Sequence, residues 1–404
     1  MSTLTDRFNE LKLFQPLTVG NITVQQRIVM SPMTRLRANA QHVQSELAVK
    51  YYSQRASAPG TLLISEAVFI AAKAGGIPYV PGIWSDEQIA AWKKVTDAVH
   101  EKGSFIFAQL WALGRTANPA QLASEDPSFP YVSSGNIPLP GHTAELPPRP
   151  LTVDEIKEYV RLYATAARNA IQRAGFDGVE IHSTSGYLPD QFLQDVSNNR
   201  TDQYGGSIEN RSRFVLEIVD AVVKEVGEKA VGIRFGPWST FQGMRMKDPI
   251  PTFAHIITAI RDRYPDFAYI HLVEPRVAGM FDIETPEGET NEPFWEIWKP
   301  RPYLTAGGYT RENAIQATQE KDNLLAGFGR HFTSNVSLIF LPQTPYPWPG
   351  NVTDGWPHWQ PDLVLRLKKN IPLTHYDRPT FALPLSPDGY ADWPFAGEVQ
   401  EVVA

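Results

Sequence analysis

The sequence predicts a (β/α)8 TIM barrel. Eight short apolar runs rich in β-branched residues alternate along the chain with longer segments of helical period. Eight parallel strands most simply close on themselves, because an open sheet of that size would leave two long edges exposed. The chain has 404 residues, whereas a barrel of this type needs about 250. Two proline-rich additions account for the surplus, so residues 1–404 are predicted to form a single domain.

The predicted strands are, in chain order, Arg27–Ser31, Thr61–Phe69, Ser104–Leu110, Gly178–His182, Ala230–Phe235, Ala268–Val273, Tyr303–Ala306 and Leu324–Phe328. Most of them are followed by a predicted helix. Helices without a further sequence signal are expected at Val49–Ala56, Ser207–Val226, Pro251–Arg263, Asn291–Trp298, Arg311–Glu320 and Asp362–Asn370.

Two further helices begin with a capping box. Ser85 stands three residues before Gln88, and Thr152 stands three residues before Glu155, each ahead of an apolar series of helical period. The second of these helices is expected to end at Gly175, which is placed as a C-terminal cap.

Proline marks the two additions. Of the 34 prolines, eight lie between residues 115 and 150 and eleven follow residue 341. Because proline resists helices and central strands, residues 115–150 are predicted to form a long excursion over the barrel top after the third strand. Residues 341–404 are predicted to form a wrapping C-terminal tail.

Composition excludes several function classes. The net charge of −7, from 37 basic and 44 acidic residues, gives no basic surface for a nucleic acid. The absence of cysteine excludes disulfide scaffolds, thiolate catalysis, iron–sulfur clusters and cysteine zinc sites. No secretory signal and no apolar run of membrane-spanning length is recognisable. We therefore expect a cytoplasmic protein that contacts no membrane and no nucleic acid.

Catalytic groups of such barrels follow the carboxyl ends of the strands. No lysine occurs there, which argues against a Schiff-base aldolase. Glu66 and Glu274 are the only carboxylates, too few for a typical Mg²⁺ cluster, and no metal site is predicted. The strand-end sequences are Pro32-Met33-Thr34-Arg35, Ser65-Glu66-Ala67, Gln109-Leu110-Trp111, His182 through Tyr187, Arg234, Glu274, Ala306-Gly307-Gly308 and Gly327-Phe328-Gly329-Arg330.

Glycines follow the last two strands. Backbone amides at this place commonly bind phosphate in this fold, and Arg330 adds a cation. The pair Gly307-Gly308 and the sequence Gly327-x-Gly329 are equally compatible with tight turns. They do not form a dinucleotide fingerprint, because a third glycine is missing and the position is late in the chain.

The segment from His182 to Tyr187 carries an imidazole, hydroxyls and a phenol at one strand end. In a functional interpretation His182 and Ser185 donate hydrogen bonds to a substrate oxygen and Tyr187 donates a proton. The alternative is a satisfied core histidine followed by a turn at Gly186.

Three more strand-end residues are candidates for the site. Arg234 either faces a ligand or forms a structural ion pair with Glu66 or Glu274. Gln109 and Trp111 are residues that most often serve packing, and Trp111 is equally placed to form a pocket wall.

Together these motifs resemble the old yellow enzyme family, FMN-dependent ene-reductases on a (β/α)8 barrel, and in particular its fungal and yeast members. The similarity covers nearly the whole chain. Its most specific stretch is HSTSGYLPDQFLQDVSNNRTDQYGGSIENRSR, from His182 to Arg213. The other matching motifs are Leu13-Phe14-x-Pro16-Leu17, Pro32-Met33-Thr34-Arg35, Gln109-Leu110-Trp111, Gly327-Phe328-Gly329-Arg330 and Tyr376-Asp377-Arg378.

The resemblance implies non-covalently bound FMN. Thr34 would hydrogen-bond the flavin carbonyl near N5, Gln109 and Arg234 would bind the pyrimidine edge, and Ala67 would contribute backbone there. Gly308 and Arg330, with neighbouring amides, would hold the phosphate. The complete implied set for the cofactor is Pro32, Met33, Thr34, Ala67, Gln109, Arg234, Gly307, Gly308, Gly329 and Arg330.

The resemblance also implies a ping-pong reaction with NADPH, or NADH, as hydride donor and a small enone or enal as substrate. His182 and Ser185 would bind the substrate oxygen, Trp111 would line the pocket, and Tyr187 would protonate the α-carbon. The implied catalytic set is Tyr187, His182, Ser185 and Thr34, acting in a monomer or homodimer.

Two positions depart from the family pattern. Ser185 stands where the family has asparagine or histidine, and its hydroxyl reaches less far than an amide or an imidazole. Ala382 stands where several relatives carry a tyrosine at the pocket mouth, which predicts a more open entrance. The Ser185 departure keeps one alternative open, a redox-neutral or specialised biosynthetic flavoenzyme on the same scaffold, such as an isomerase or tailoring enzyme. A flavin-binding protein without catalysis is a separate alternative, disfavoured because His182, Tyr187, Thr34 and Arg234 are all present.

Overall fold

The computed structural model describes residues 10–141, 147–335 and 362–393. Its centre is a closed barrel of eight parallel strands in chain order, with the eighth strand pairing to the first. The strands are β1 (Ile28–Met30), β2 (Leu62–Phe69), β3 (Phe105–Trp111), β4 (Gly178–Ser183), β5 (Val231–Phe235), β6 (Tyr269–Val273), β7 (Tyr303–Ala306) and β8 (Leu324–Phe328). The predicted fold class is confirmed.

Strand ends differ from the predicted ones by at most one residue. Trp111 lies inside β3, and Ser183 extends β4, because both residues are buried and continue the ladder to the neighbouring strand. Pairing between β2 and β3 skips from Ile64 to Ala67. Glu66 lies within this irregular stretch, and its carboxylate accepts from Gln44 and from the Arg35 N–H.

Helices surround the barrel. Within the described residues they are α1 (Glu46–Arg55), α2 (Asp86–His100), α3 (Pro119–Glu125), α4 (Val153–Arg168), α5 (Leu188–Leu193), α6 (Ile208–Val226), α7 (Ile250–Arg263), α8 (Glu292–Trp298), α9 (Arg311–Glu320), α10 (Arg330–Ser334) and α11 (Asp362–Lys369). The short α3, α5 and α10 were not predicted, because five to seven residues are too few to show a helical period.

Both predicted capping boxes are present, with the Ser85 and Thr152 hydroxyls accepting from the backbone of Gln88 and Glu155. After α4 the chain continues as one π-helical stretch, Asn169–Arg173. Gly175 follows two residues after its end, and its φ of +79° is the left-handed conformation expected just beyond a C-terminal cap.

The amino end of the barrel is filled by apolar side chains. A hairpin of Leu17–Val19 and Ile22–Val24 covers this end and packs on it. Inside, the rings of Phe107 and Tyr269 occupy the space that side chains at Gly178 and Gly232 would need, since a Cβ there would lie 2.4 Å from each ring. The polar site is therefore confined to the other end.

The proline-rich excursion after β3 lies at that carboxyl end, as predicted. Arg115, fully buried there, donates to the Gln242 carbonyl at 3.0 Å. The Tyr131 hydroxyl donates in turn to the Arg115 carbonyl at 2.7 Å. Residues 142–146 lie outside the described part.

The tail prediction is tested only in part, because residues 336–361 and 394–404 lie outside the described residues. Residues 372–391 do return to the carboxyl end of β1. There Arg37 donates to the carbonyls of Thr380 and Phe381, both at 2.8 Å, and Arg35 donates to the Gly389 carbonyl at 2.8 Å. Within the described residues, no helix has the length and apolarity needed to span a membrane.

Candidate active site

Strands β3, β4 and β5 bring three of the predicted site residues together. His182 pairs in register with Arg234, and Glu180 pairs with Gln109. Since parallel strands end at the same rim, the side chains of His182, Arg234 and Gln109 share the carboxyl end of the barrel.

Three aromatic rings form one wall of this site. The Trp111 ring stacks on the His182 ring, with centroids 6.0 Å apart and an interplanar angle of 15°. Tyr187 stands nearly perpendicular to both, with centroids 4.7 Å from Trp111 and 4.9 Å from His182. The expected grouping of His182, Tyr187 and Trp111 is thus present.

His182 is not the satisfied core histidine of the alternative interpretation. It is buried, yet its Nδ1 has no hydrogen-bond partner among the described residues. Burial, reinforced by the Arg234 charge, holds the pKa of His182 well below its usual value. The ring is therefore neutral near pH 7 and carries one N–H donor.

Tyr187 is kept protonated by its surroundings. Burial raises the pKa of this phenol to about 12, against smaller opposing contributions from Gln242 and Arg234. Helix α5 begins directly after it and fixes the loop that carries it. The Gly186 N–H donates to Asp190 at 2.8 Å, and the Gln191 amide donates to the Gly186 carbonyl at 2.6 Å.

Ser185 occupies an unusual backbone conformation. Its φ is +58°, in the left-handed region that glycine and asparagine tolerate better than serine does. The backbone at position 185 thus suits the asparagine that the family pattern has there, whereas the side chain of Ser185 carries only a hydroxyl. The serine pays a conformational cost and offers a shorter donor.

Arg234 does not form the ion pair that was the alternative to a ligand role. Glu66 instead accepts from the Gln44 amide at 2.7 Å and from the Arg35 N–H at 3.3 Å, while Glu274 lies 3.7 Å from Arg276. The Arg234 Nε has no hydrogen-bond partner among the described residues.

The carboxylate that does balance Arg234 is Glu180, which sequence analysis missed. Its charge opposes the lowering of the Arg234 pKa that burial causes. Glu180 accepts from Gln109 at 2.7 Å, from Tyr269 at 3.0 Å and from His271 at 2.8 Å. A signal was available, because a lone acid inside the apolar run of β4 must be paired when buried.

Residues predicted for the other side of the site lie at neighbouring strand ends. Pro32, Met33 and Thr34 follow β1, and Ala67 pairs with Gln109 across the β2 bulge. Met33 also approaches the end of β8, since a Cβ at Gly329 would lie 3.5 Å from its sulfur. The structure therefore brings the ends of β1, β2, β3 and β8 around one opening.

The predicted phosphate site lies after β7 and β8. Gly307 and Gly308 have φ of +136° and +62°, which gives the turn that was one of the two interpretations, and a Cβ at Gly308 would lie 3.1 Å from Arg276 Nε. The Arg276 Nε donates to the Gly307 carbonyl at 2.6 Å, and its Nη2 has no partner among the described residues. Sequence analysis missed Arg276, a second cation beside the glycines.

Arg330 reaches this place but is paired. Its Nη1 donates to Asp282 at 2.6 Å and to the Tyr376 hydroxyl at 2.9 Å. Asp282 belongs to a small hairpin after β6, formed by Val277–Ala278 and Phe281–Asp282. This carboxylate raises the pKa of Arg330 and neutralises its charge.

Both the sequence and the structure of the chain match a known enzyme family. The model of the NADH:flavin oxidoreductase / NADH oxidase family matches residues 12–343. The chain also matches the old yellow enzyme from Pichia sp. AKU4542 with a TM-score of 0.82 and 37% identity, covering 97% of this chain and 95% of that one. The chain belongs to the old yellow enzyme family.

Three relatives with sequences similar to this old yellow enzyme are fungal proteins. Chanoclavine-I aldehyde reductase fgaOx3 of Penicillium roqueforti is 46% identical, over 97% of this chain and 98% of the relative. NADP-dependent oxidoreductase lnbE of Aspergillus flavus is 44% identical, over 97% and 98%. Probable inactive dehydrogenase easA of Claviceps fusiformis is 45% identical, over 96% and 95%.

The described residues fit the FMN that old yellow enzymes use. The orphaned Arg234 Nε lies at the barrel end among polar groups, and the glycine turn after β7 lies beside Arg276, whose Nη2 also has no partner among the described residues. A cation set of this kind suits a phosphate, and an uncharged donor at Gln109 suits the polar edge of a flavin. The enzyme is an FMN-dependent oxidoreductase of the old yellow enzyme type.

Proposed function

We propose that this oxidoreductase is an ene-reductase that uses NADPH to reduce the activated C=C bond of α,β-unsaturated carbonyl compounds. The observation that carries the proposal is the contact between His182 and Tyr187. A neutral donor and a protonated phenol lie beside each other, at the barrel end where Gln109 and Arg234 also lie. Such a pair suits a substrate that needs its oxygen polarised and its carbon protonated.

The cofactor would be held by residues from six strand ends. Thr34, Gln109 and Arg234 would bind the flavin ring, with backbone from Pro32, Met33 and Ala67. Gly307, Gly308, Gly329 and Arg330 would bind the phosphate. When bound, FMN supplies the hydride chemistry, accepting a hydride from NADPH and delivering one to the β-carbon of the substrate.

The protein's own contribution begins with the substrate oxygen. The N–H of neutral His182 donates to that oxygen and stabilises the negative charge that grows there during hydride transfer. The Ser185 hydroxyl is the second donor, directly or through a water. The Trp111 ring holds the imidazole in place by stacking.

Tyr187 completes the reduction. Its phenol releases a proton to the α-carbon, so that one hydride and one proton add across the C=C bond. Because the loop before α5 is fixed by Asp190 and Gln191, the phenol is held at a constant position relative to His182. The phenolate then recovers a proton from solvent.

The names of two relatives support the choice of substrate and hydride donor. The name of the relative fgaOx3 states an aldehyde reductase, and the name of lnbE states NADP dependence. We therefore place enals beside enones as substrates and NADPH ahead of NADH as donor. We further propose a small-molecule reaction in the cytoplasm, catalysed by a monomer or homodimer.

The product balance tests this function. The purified FMN-loaded enzyme is incubated without oxygen with NADPH and 2-cyclohexenone, and both NADPH loss and cyclohexanone formation are followed. We expect one NADPH consumed for each cyclohexanone formed. Loss of enone without loss of NADPH would replace the proposal by a redox-neutral reaction.

A redox-neutral or specialised biosynthetic reaction is the second candidate, and Ser185 favours it. With a short donor in place of an amide or imidazole, the substrate oxygen is polarised less, which suits a substrate of different shape or a less demanding reaction. The third alternative, flavin binding without catalysis, gains weight from the name of the relative easA. It is disfavoured by the intact contact of His182 with Tyr187.

A further inference from the structure

A buried carboxylate lies beneath the site, where the mechanism does not use it. Glu180 is fully buried in β4. One oxygen accepts from the Gln109 amide at 2.7 Å. The other accepts from the Tyr269 hydroxyl at 3.0 Å and from His271 Nδ1 at 2.8 Å.

Glu180 is surrounded by hydrogen-bond donors and by the Arg234 charge, all from strands β3, β5 and β6. His271 and Arg234 lie on β6 and β5 and pair in register with each other. The hydrogen bonds from His271 and Gln109, with the Arg234 charge, hold the pKa of Glu180 below its usual value despite complete burial, while burial lowers the pKa of His271 itself. Glu180 is therefore an anion at neutral pH. It is also the carboxylate that balances the buried Arg234 guanidinium.

Gln109 and Arg234 are the two side chains that the proposed function assigns to the pyrimidine edge of the flavin. Glu180 fixes the first by a hydrogen bond and balances the charge of the second. A glutamine at this position would not replace it, because its amide N–H₂ would face one of the three donors that the carboxylate now accepts from.

We infer that Glu180 is a positioning residue that sets, through Gln109 and Arg234, the affinity and the reduction potential of the bound flavin. The inference rests on the proposed function only for the placement of the pyrimidine edge. Reduction adds negative charge to that edge, so the cation beneath it favours the reduced form. By balancing Arg234, Glu180 limits this preference and keeps the potential low.

The direct test is Glu180→Gln in the full chain. The variant removes the charge at nearly constant size and leaves Arg234 unbalanced. Dissociation constants for oxidised FMN come from fluorescence titration of the apoprotein, and the potential comes from reduction in equilibrium with a reference dye. We expect the ratio of oxidised to reduced dissociation constants to rise at least tenfold, an upward shift of about 30 mV for a two-electron couple.

Two variants separate charge from structure. Tyr269→Phe removes one hydrogen bond but keeps the carboxylate, so the ratio is expected to stay within twofold of wild type. Glu180→Asp keeps the charge but withdraws it by one methylene from Gln109. There we expect FMN to bind at least tenfold more weakly, with the ratio again within twofold.

The outcomes are decisive in each case. A folded Glu180→Gln protein that binds FMN with an unchanged ratio would overturn the inference. If that variant does not fold, Glu180→Asp decides, and wild-type affinity in it would overturn the inference. Neither measurement uses NADPH or an enone, so an absence of ene-reduction would not affect this inference. Failure of the wild-type protein to bind FMN would contradict both this inference and the proposed function.

Discussion

The imidazole of His182 and the phenol of Tyr187 meet edge to face, with ring centroids 4.9 Å apart and an interplanar angle of 84°. One ring is held neutral and the other is held protonated, in both cases by burial. Two uncharged donors thus lie side by side at neutral pH. On this basis we propose that His182 binds the substrate oxygen and that Tyr187 protonates the α-carbon.

Tyr187→Phe should separate the two half-reactions. The ring and its packing on Trp111 are kept, while the proton donor is lost. We expect reoxidation of the reduced enzyme by 2-cyclohexenone to slow by about 10²-fold or more, a typical contribution of a general acid. Reduction by NADPH should be unchanged. Stopped-flow absorbance measures both rates.

Tyr159→Phe is the matched control, since this buried tyrosine lies on α4 and donates to the Lys73 carbonyl. Both half-reactions should keep their wild-type rates in it. Equal reoxidation rates in Tyr187→Phe and wild type would assign the proton to another group.

Ser185→Asn should improve the oxygen-binding site. Asparagine tolerates the φ of +58° better than serine and adds an amide donor of longer reach. Since removal of one such donor typically costs about 10²–10³ in rate, we expect enone reduction to rise about tenfold or more. Steady-state kinetics with 2-cyclohexenone measures the gain.

Ser185→Ala is the companion variant, and its rate shows how much the present hydroxyl contributes. An unchanged rate in Ser185→Asn would show that Ser185 does not limit ene-reduction. The substrate would then be positioned by His182 alone.

Asp282→Asn should strengthen FMN binding. The Asp282 carboxylate now holds Arg330, which the proposed function assigns to the phosphate. Without the competing anion, we expect the apoprotein to bind FMN severalfold more tightly, as measured by fluorescence titration. Asp262→Asn is the control, because that carboxylate pairs with Arg261 on the distant helix α7. Weaker binding in Asp282→Asn would mean that Asp282 orients Arg330 instead of competing for it.

Glu66 should make stability depend on pH. Burial raises the pKa of Glu66 to about 7, against an ordinary value of 4.5. The folded protein therefore binds this proton more tightly than the unfolded chain does, and the resulting stabilisation is complete below pH 4.5 and lost as pH rises through 7. We expect Tm to fall as the pH rises from about 4.5 to about 7 and to level off above that pH.

The fall should be smaller in Glu66→Gln, which keeps one acceptor oxygen, for either the Gln44 amide or the Arg35 N–H, but carries no proton to lose. Asp190, whose pKa burial also raises to about 7, is present in both proteins and contributes equally. An equal fall of Tm in both proteins would show that Glu66 is not responsible.

The fold and the residues at the rim of the site could be predicted from the sequence. Strand periodicity locates the carboxyl ends, and in a parallel barrel those ends converge, so His182, Arg234 and Gln109 could be grouped without coordinates. The capping boxes at Ser85 and Thr152 were readable because both partners are local.

Contacts between side chains distant in sequence were not accessible. The partner of Arg234 proved to be Glu180, 54 positions away in sequence, because strand register and not proximity along the chain decides it. The pairing of Arg330 with Asp282 depends on how a short hairpin folds back over the rim. The conformation of Ser185 likewise becomes visible only in the backbone.

The central claim is that FMN bound at the carboxyl end of the barrel is reduced by NADPH and reoxidised by an enone. The visible spectrum of the purified protein tests this most directly, recorded anaerobically as isolated, after NADPH and after 2-cyclohexenone. The account predicts flavin absorption that bleaches with NADPH and returns with the enone. Bleaching without return would contradict ene-reduction, and no flavin absorption after added FMN would contradict the cofactor site itself.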